Sequence, residues 1–242
     1  MSIDLYPALD AGETDVAVAL EWDSAAGEVA PLGAASLLHR NVDSAYPEFA
    51  SNDLVSRWPD IGGLNLAEDG ATIGDVFGTQ LTQLTESEEP TLITLSIGGN
   101  DLLSAFANRH VTELLSRIVH DVGEGYEFLL ESIRRARPQS SIIVTTVYDP
   151  SDGTRRVPGL FDGAGPLPIE ALHDLNARIA ALGRSTKDCA VADVHAHFLG
   201  HGATARPEDR WYWKRSWIEP SAVGASEIRR VWLDALGKLT EN

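Results

Sequence analysis

The sequence predicts an α/β domain in which a parallel sheet is covered by helices on both faces. Short apolar runs rich in β-branched residues, at positions 92–97, 142–147 and 190–194, alternate with longer segments whose apolar residues recur every three or four positions. Such alternation is typical of parallel strands joined by crossover helices. The chain has 242 residues. That length suits one domain over positions 1–242, because single domains often reach about 250 residues.

The residue pattern in the first third of the chain predicts mostly helices. Residues 1–10 contain no buried strand and open on apolar residues at helical spacing, so the sheet is expected to begin one strand late. Positions 46–58 predict a helix that Pro59 stops. Positions 63–67 predict a short strand, and positions 72–84 predict the helix after it.

The rest of the chain alternates regularly between strands and helices. In order, the sequence predicts a strand at 92–97, a long helix at 111–133, a strand at 142–147, a helix at 172–182, a strand at 190–194 and a last helix at 228–239. The long helix ends before Pro138, since proline cannot continue a helix.

Charge and composition exclude several classes of partner. The net charge of −17 opposes binding to nucleic acid and to anionic membrane surfaces. Cys189 is the only cysteine, so neither an internal disulfide nor a cysteine-based metal cluster is expected. No apolar run approaches the roughly 20 residues of a membrane span, and the N-terminus lacks the basic and apolar regions of a signal peptide. We therefore expect a soluble cytoplasmic protein, of undetermined oligomeric state.

The most informative segment is Gly98-Gly99-Asn100-Asp101, directly after the predicted strand at 92–97. Ligands of α/β sheets bind beyond the carboxyl ends of the strands. Asn100 offers there an amide donor for a developing negative charge, and Asp101 is expected to cap the next helix. The alternative is that the segment is only a turn, since Gly and Asn are common turn residues.

Three blocks of the sequence resemble the SGNH (GDSL-type) hydrolases. Residues 65–72, which contain Gly70, resemble the glycine block of that family. Gly98-Gly99-Asn100-Asp101 matches its Gly-x-Asn-Asp block, and residues 219–225 resemble the segment that begins at its last catalytic block. The resemblance implies a flavodoxin-like, three-layer α/β/α sandwich with its pocket at the carboxyl ends of the strands.

The resemblance also implies a set of catalytic roles. In that family a serine attacks an ester or acyl carbonyl, a histidine takes the proton of the serine, and an aspartate three residues earlier orients the histidine. The resemblance assigns Gly70 and Asn100 to the oxyanion hole, where each donor is typically worth about 3 kcal/mol of transition-state stabilisation. No cofactor is required.

Two of the family's blocks depart from the pattern in this chain. The Gly-Asp-Ser block of the nucleophile is absent, and residues 1–4 resemble the segment just C-terminal to that block. We therefore expect the sequence to begin at an internal methionine, with the nucleophile just before Met1 and Ser2 as the one candidate within the chain. In the last block Glu219 stands at the position of the histidine and Ser216 at that of the aspartate. An exposed carboxylate is a weak base for a serine hydroxyl.

Histidines after the predicted strand at 190–194 offer other bases and ligands. His201, between two glycines, is a candidate to pair with Glu219 as base and orienting acid. His195 and His197 would point to one face of a strand, a spacing that can bind zinc. The alternative for both is structural hydrogen bonding, and no metal is predicted.

These observations predict hydrolysis of an ester or acyl group on a small molecule, lipid or carbohydrate through a serine acyl-enzyme, as in an esterase or lipase. Loss of a serine nucleophile can cost about 10⁶-fold in turnover, so the chain without its Gly-Asp-Ser block is expected to be nearly inert. The alternative function is a non-catalytic module that binds a ligand in the same pocket.

Overall fold

The computed structural model describes residues 3–7, 33–107, 112–158, 166–213 and 216–240. A five-stranded sheet has the spatial order β2-β1-β3-β4-β5. Its strands, in chain order, are β1 (Ile3–Pro7), β2 (Leu64–Asn65), β3 (Thr91–Leu95), β4 (Ser140–Thr145) and β5 (Cys189–Ala192). β3, β4 and β5 run parallel, whereas β1 pairs antiparallel with both β2 and β3. The predicted strands at 92–97, 142–147 and 190–194 are confirmed within two residues at each end.

Eight α-helices and a two-stranded hairpin accompany the sheet in the described residues. The helices are α1 (Ala34–His39), α2 (Leu54–Arg57), α3 (Ile73–Asp75), α4 (Gly99–Ala107), α5 (Thr112–Ala136), α6 (Ile169–Ser185), α7 (Val194–Phe198) and α8 (Ala222–Thr240). The hairpin consists of β6 (Tyr212–Trp213) and β7 (Ser216–Pro220). None of the helices in the described residues is both long and apolar enough to cross a membrane.

Alternate residues of the central strands feed two cores on opposite faces of the sheet. Ile93 and Leu95 pack in one core with α5 and α6, while Leu92 packs in the other with α1 and α8. Strand side chains point alternately to opposite faces, so a strand buried on both faces is largely apolar along its length. The arrangement confirms the three-layer α/β/α sandwich.

The prediction of a helix at the start of the chain is wrong. Residues 3–7 form β1, which lies between β2 and β3. The edge of β3 presents unpaired backbone groups to any neighbouring extended segment, and the backbone of Ile3–Pro7 pairs with it along all five residues of β3. Pairing with this edge outweighs the weak helical pattern of the segment.

The predicted helix at 46–58 is also wrong as a single element. It divides into a 3₁₀ turn at Pro47–Phe49 and the short helix α2. Ser51, between them, has a positive φ of 60°, which interrupts helical geometry. Asp53 then starts α2 as its N-cap, since its carboxylate accepts a hydrogen bond from the backbone N–H of Ser56 at 2.7 Å.

Candidate active site

A pocket opens beyond the carboxyl ends of β3 and β4, where the sequence predicted a ligand site. Its volume is about 860 Å³, counting the space at its open mouth. It is lined mainly by apolar side chains and has a polar edge. The lining residues are Asp69, Gly99, Asn100, Leu102, Leu103, Phe106, Val147, Tyr148, Asp149, Pro150, Leu167, Pro168, Ile169, Leu172, Ile218 and Glu219.

Asn100 and the turn at Gly70 meet at this polar edge. Asn100 lies in the first turn of α4, and its Nδ2 donates a hydrogen bond to the carbonyl of Ala71 at 3.0 Å. The amide has a second N–H, and Asn100 lines the pocket. Gly70 itself does not line the pocket, but its neighbour Asp69 does. The positive φ of 77° at Gly70 is a conformation that glycine adopts without steric cost.

The predicted role of Asp101 as the cap of its own helix is wrong. Asp101 lies inside α4, and its carboxylate accepts a hydrogen bond from the backbone N–H of Ile73 at 3.1 Å. Burial raises the pKa of Asp101, although the bond from Ile73 opposes that rise. Asp101 therefore ties the beginning of α3 to α4, and it holds the turn that contains Gly70 beside Asn100.

Glu219 reaches the same pocket from β7. Burial raises the pKa of Glu219, and the nearby Asp69 carboxylate raises it further. Among the described residues, none donates a hydrogen bond to the Glu219 carboxylate. A carboxylate in this environment is a stronger base than an exposed one, so the environment adds the basicity that the sequence alone could not predict.

The carbonyl of Trp211 fixes the chain on the C-terminal side of Glu219. It accepts hydrogen bonds from Ser221, from the backbone N–H at 2.7 Å and from Oγ at 2.9 Å. A Cβ atom on Gly224 would lie 2.2 Å from the same carbonyl oxygen, so a side chain there cannot fit without a shift of backbone. The Ser and Gly of the 219–225 block are thus required by the geometry of the hairpin.

Residues 26–225 of the sequence match the GDSL-like lipase/acylhydrolase family. The chain belongs to this family. A search of curated proteins finds no significant match.

Solved structures similar to this GDSL-family chain come from several bacteria. A possible lipase from Chitinophaga pinensis has 15% identity and a TM-score of 0.50, with 74% of this chain and 84% of that one covered. Phospholipase A1 from Streptomyces albidoflavus has 22% identity and a TM-score of 0.49, with 83% and 88% covered. The extracellular lipase of Streptomyces rimosus has 22% identity and a TM-score of 0.47, with 70% and 77% covered.

Two helix side chains that the sequence did not single out hold the strand ends of this GDSL-family fold. The buried hydroxyl of Tyr126, on α5, donates to the carbonyl of Ile97 at 2.9 Å and accepts from its N–H at 3.2 Å. Asn176, on α6, donates to the carbonyl of Val147 at 2.8 Å and accepts from its N–H at 2.7 Å. Each is a polar residue on an apolar helix face, and buried polar groups nearly always have partners. A polar residue on an apolar helix face was therefore the sequence signal that could have identified Tyr126 and Asn176 as hydrogen-bonding residues.

Tyr148 connects the pocket wall to the hairpin that carries Glu219. Its hydroxyl donates to the carbonyl of Ile218 at 2.9 Å. Burial raises the pKa of Tyr148 well above its ordinary value, and the charges of Glu219 and Asp69 add to this. The hydroxyl therefore stays protonated and keeps donating at neutral pH.

His201 does not line the pocket. Its ring stacks on the Trp211 ring with centroids 3.5 Å apart, and its Nδ1 lies 2.8 Å from the carbonyl of Asp209. The loop around it is held by the Asp152 carboxylate, which accepts bonds from the N–H groups of Gly200 and Gly202, each at 3.0 Å. Among the described residues, neither a hydrogen bond nor an ion pair joins His201 to Glu219.

The placement of His195 and His197 on a strand is wrong, because both lie on α7. Residues two apart on a helix are about 200° apart around its axis, so the two rings point away from each other. His195 contacts the carbonyl of Val147 at 3.2 Å, and His197 pairs with Glu227 at 2.8 Å. Within the described ranges, no three His, Cys, Asp or Glu side chains are grouped to hold a metal. Ser2 lies outside the described residues.

Proposed function

We propose that this pocket hydrolyses an ester or acyl bond of a small molecule, lipid or carbohydrate through a serine acyl-enzyme. The observation that carries the proposal is the 3.0 Å contact between Asn100 and Ala71. It joins the Gly-x-Asn-Asp block to the turn at Gly70, at the edge of a pocket with an apolar interior. Membership of the GDSL-like lipase/acylhydrolase family supports the same chemistry.

The oxyanion donors are the backbone N–H of Gly70 and the second amide N–H of Asn100. The carbonyl oxygen of the substrate gains negative charge as the nucleophile attacks, and both donors stabilise that charge. Removal of one such donor typically costs about 10²–10³-fold in turnover. Asn100 is the better test, because only proline would remove the backbone N–H of Gly70, and its fixed negative φ does not fit the φ of 77° at that position.

Glu219 is the proposed proton acceptor. The serine oxygen forms a bond to the acyl carbon while its proton moves to the Glu219 carboxylate, and that proton then leaves with the departing alcohol. Water repeats the sequence and releases the acid. The raised pKa of Glu219 brings its basicity closer to that of a histidine. His201 is the second candidate, and it would have to leave the Trp211 ring to act.

The nucleophile is proposed to be the serine of a Gly-Asp-Ser block, with Ser2 as the candidate within this sequence. The test measures hydrolysis of p-nitrophenyl butyrate by this chain, by its Ser2→Ala variant and by a chain extended upstream in the same open reading frame. We expect an extended chain that carries Gly-Asp-Ser to be active and its Ser→Ala variant to be inactive. We expect this chain alone to be nearly inert.

The Asn100→Ala variant decides whether the pocket is the active site. In the active form we expect its turnover to fall by about 10²–10³-fold, as for a lost oxyanion donor. The matched control is Asn52→Ala, which removes an amide outside the pocket that bonds to the exposed Arg57. Equal turnover of the two variants would reject the assignment.

The alternative function is a non-catalytic module that binds an acylated ligand in the same pocket. The observation in its favour is Glu219, which stands where the family has histidine. An extended chain that hydrolyses no ester, yet binds hexanoate or an alkyl glycoside in isothermal titration calorimetry, would support the module and reject the hydrolase.

A further inference from the structure

The pocket divides into an apolar wall and an acidic edge. The apolar wall comes from two helices, with Leu102, Leu103 and Phe106 on α4 and Ile169 and Leu172 on α6. Burial of apolar surface is favourable and has no charge preference. The wall therefore suits the hydrocarbon part of a substrate and leaves selection by charge to the opposite edge.

Three carboxylates line the pocket, at Asp69, Asp149 and Glu219, whereas none of its lining residues is Lys, Arg or His. Asp149 is occupied by its own loop, since it accepts bonds from Ser151 and from the N–H of Gly153. Asp69 and Glu219 have no hydrogen-bond or ion-pair partner among the described residues. The two carboxylates repel each other, and this repulsion contributes to the raised pKa of Glu219.

We infer that Asp69 is a specificity-determining residue that makes the pocket favour esters of cationic alcohols and reject anionic ones. The inference rests on the proposed function and names its substrate class: an apolar acyl group joined to an amino or quaternary ammonium alcohol. The acyl chain lies against the apolar wall, and the cation lies between Asp69 and Glu219. A cation there relieves the repulsion of the two carboxylates, whereas an anion adds to it.

Asp69 suits this role better than Glu219 because it is exposed and is not the proposed base. In partly solvated surroundings, a unit charge a few ångströms away changes the affinity for a charged group by about tenfold. The effect weakens as salt is added, since the Debye length shortens from about 10 Å at 0.1 M to 3 Å at 1 M.

The test compares two esters of nearly identical shape, hexanoylcholine and 3,3-dimethylbutyl hexanoate, in which carbon replaces the charged nitrogen. The quantity measured, in the active form that carries the nucleophile, is the ratio of kcat/KM for the cationic ester to kcat/KM for the neutral one. We expect a ratio of about ten at low salt, falling in 1 M NaCl. Asp69→Asn should lower the ratio towards one, and Asp69→Glu should keep it.

Glu131→Gln is the matched control for the general attraction of cations to an acidic protein. Glu131 is an exposed residue of α5 that does not line the pocket, so its loss should leave the ratio as it is. The inference would be overturned by a ratio near one in the unaltered protein, or by an equal decrease of the ratio in Asp69→Asn and Glu131→Gln. Turnover of either ester would still support the proposed function.

Binding separates the two ideas if no ester is hydrolysed. Isothermal titration calorimetry with octyltrimethylammonium and with octyl sulfate measures charge preference without chemistry. Absence of turnover in a chain that carries the Gly-Asp-Ser block rejects the proposed hydrolase. Selective weakening of octyltrimethylammonium binding by Asp69→Asn would then support selection by charge, and equal binding of both probes would reject it.

Discussion

Asn176→Ala tests whether one buried amide holds the wall of the pocket. Asn176 makes both of its hydrogen bonds to Val147, one to the N–H and one to the carbonyl. Without the Asn176 amide, the buried N–H of Val147 has no acceptor to replace it, at a cost of about 1–3 kcal/mol. The Val147 carbonyl keeps its contact with Nδ1 of His195 at 3.2 Å. Loss of its bond from Asn176 therefore costs only the net free energy of one hydrogen bond, about 0.5–1.5 kcal/mol. We expect the free energy of unfolding to fall by about 2–4 kcal/mol.

Urea denaturation at pH 7 measures this change, and amide hydrogen exchange at Val147 reports whether the strand end has opened. The control is again Asn52→Ala, at a site where substitutions usually change stability by no more than about 0.5 kcal/mol. A loss below about 1 kcal/mol for Asn176→Ala, with the Val147 amide still protected, would refute this role of Asn176. Other contacts would then hold the strand end.

Two further predictions concern the hairpin and its carboxylate. Gly224→Ala places a methyl group 2.2 Å from the Trp211 carbonyl oxygen, and we expect thermal unfolding to show a loss of about 1–3 kcal/mol, as for overpacking of a core. Glu219→Gln should stabilise the protein at pH 7. The folded state raises the pKa of Glu219 above its ordinary 4.5, so its contribution to stability is full below that value and is lost as the pH rises through the folded-state pKa. Equal unfolding midpoints of variant and unaltered protein at pH 7 would contradict this.

Much of the fold was predictable because it depends on patterns that are local in sequence. The strands β3 and β4 are short runs rich in β-branched residues, β5 is a short apolar run, and α5 and α8 carry long apolar stripes. Two of the elements that the structure contradicts, at 1–10 and 46–58, have weak patterns. There the outcome was decided by an open strand edge and by a positive φ at Ser51, neither of which periodicity reveals.

The candidate site was predictable only as a set of positions. The three blocks identified Gly70, Asn100 and Glu219, and the structure places Asn100 and Glu219 in one pocket with the turn of Gly70 beside them. Tyr126 and Asn176, which hold the strand ends at Ile97 and Val147 beside this pocket, act across 29 residues of sequence each. Such pairings depend on how helices lie on the sheet, which one sequence does not specify.

The position of Glu219 links stability to chemistry. Burial and the charge of Asp69 raise its pKa, and both effects increase its strength as a base. Both also make the ionised side chain unfavourable in the folded state, so the basicity is obtained at the expense of stability near neutral pH. Glu219→Gln should therefore separate the two properties, with higher stability and lower turnover in the same variant. A Glu219→Gln protein that is both less stable and fully active would show that the carboxylate serves the fold and that the proton acceptor lies elsewhere.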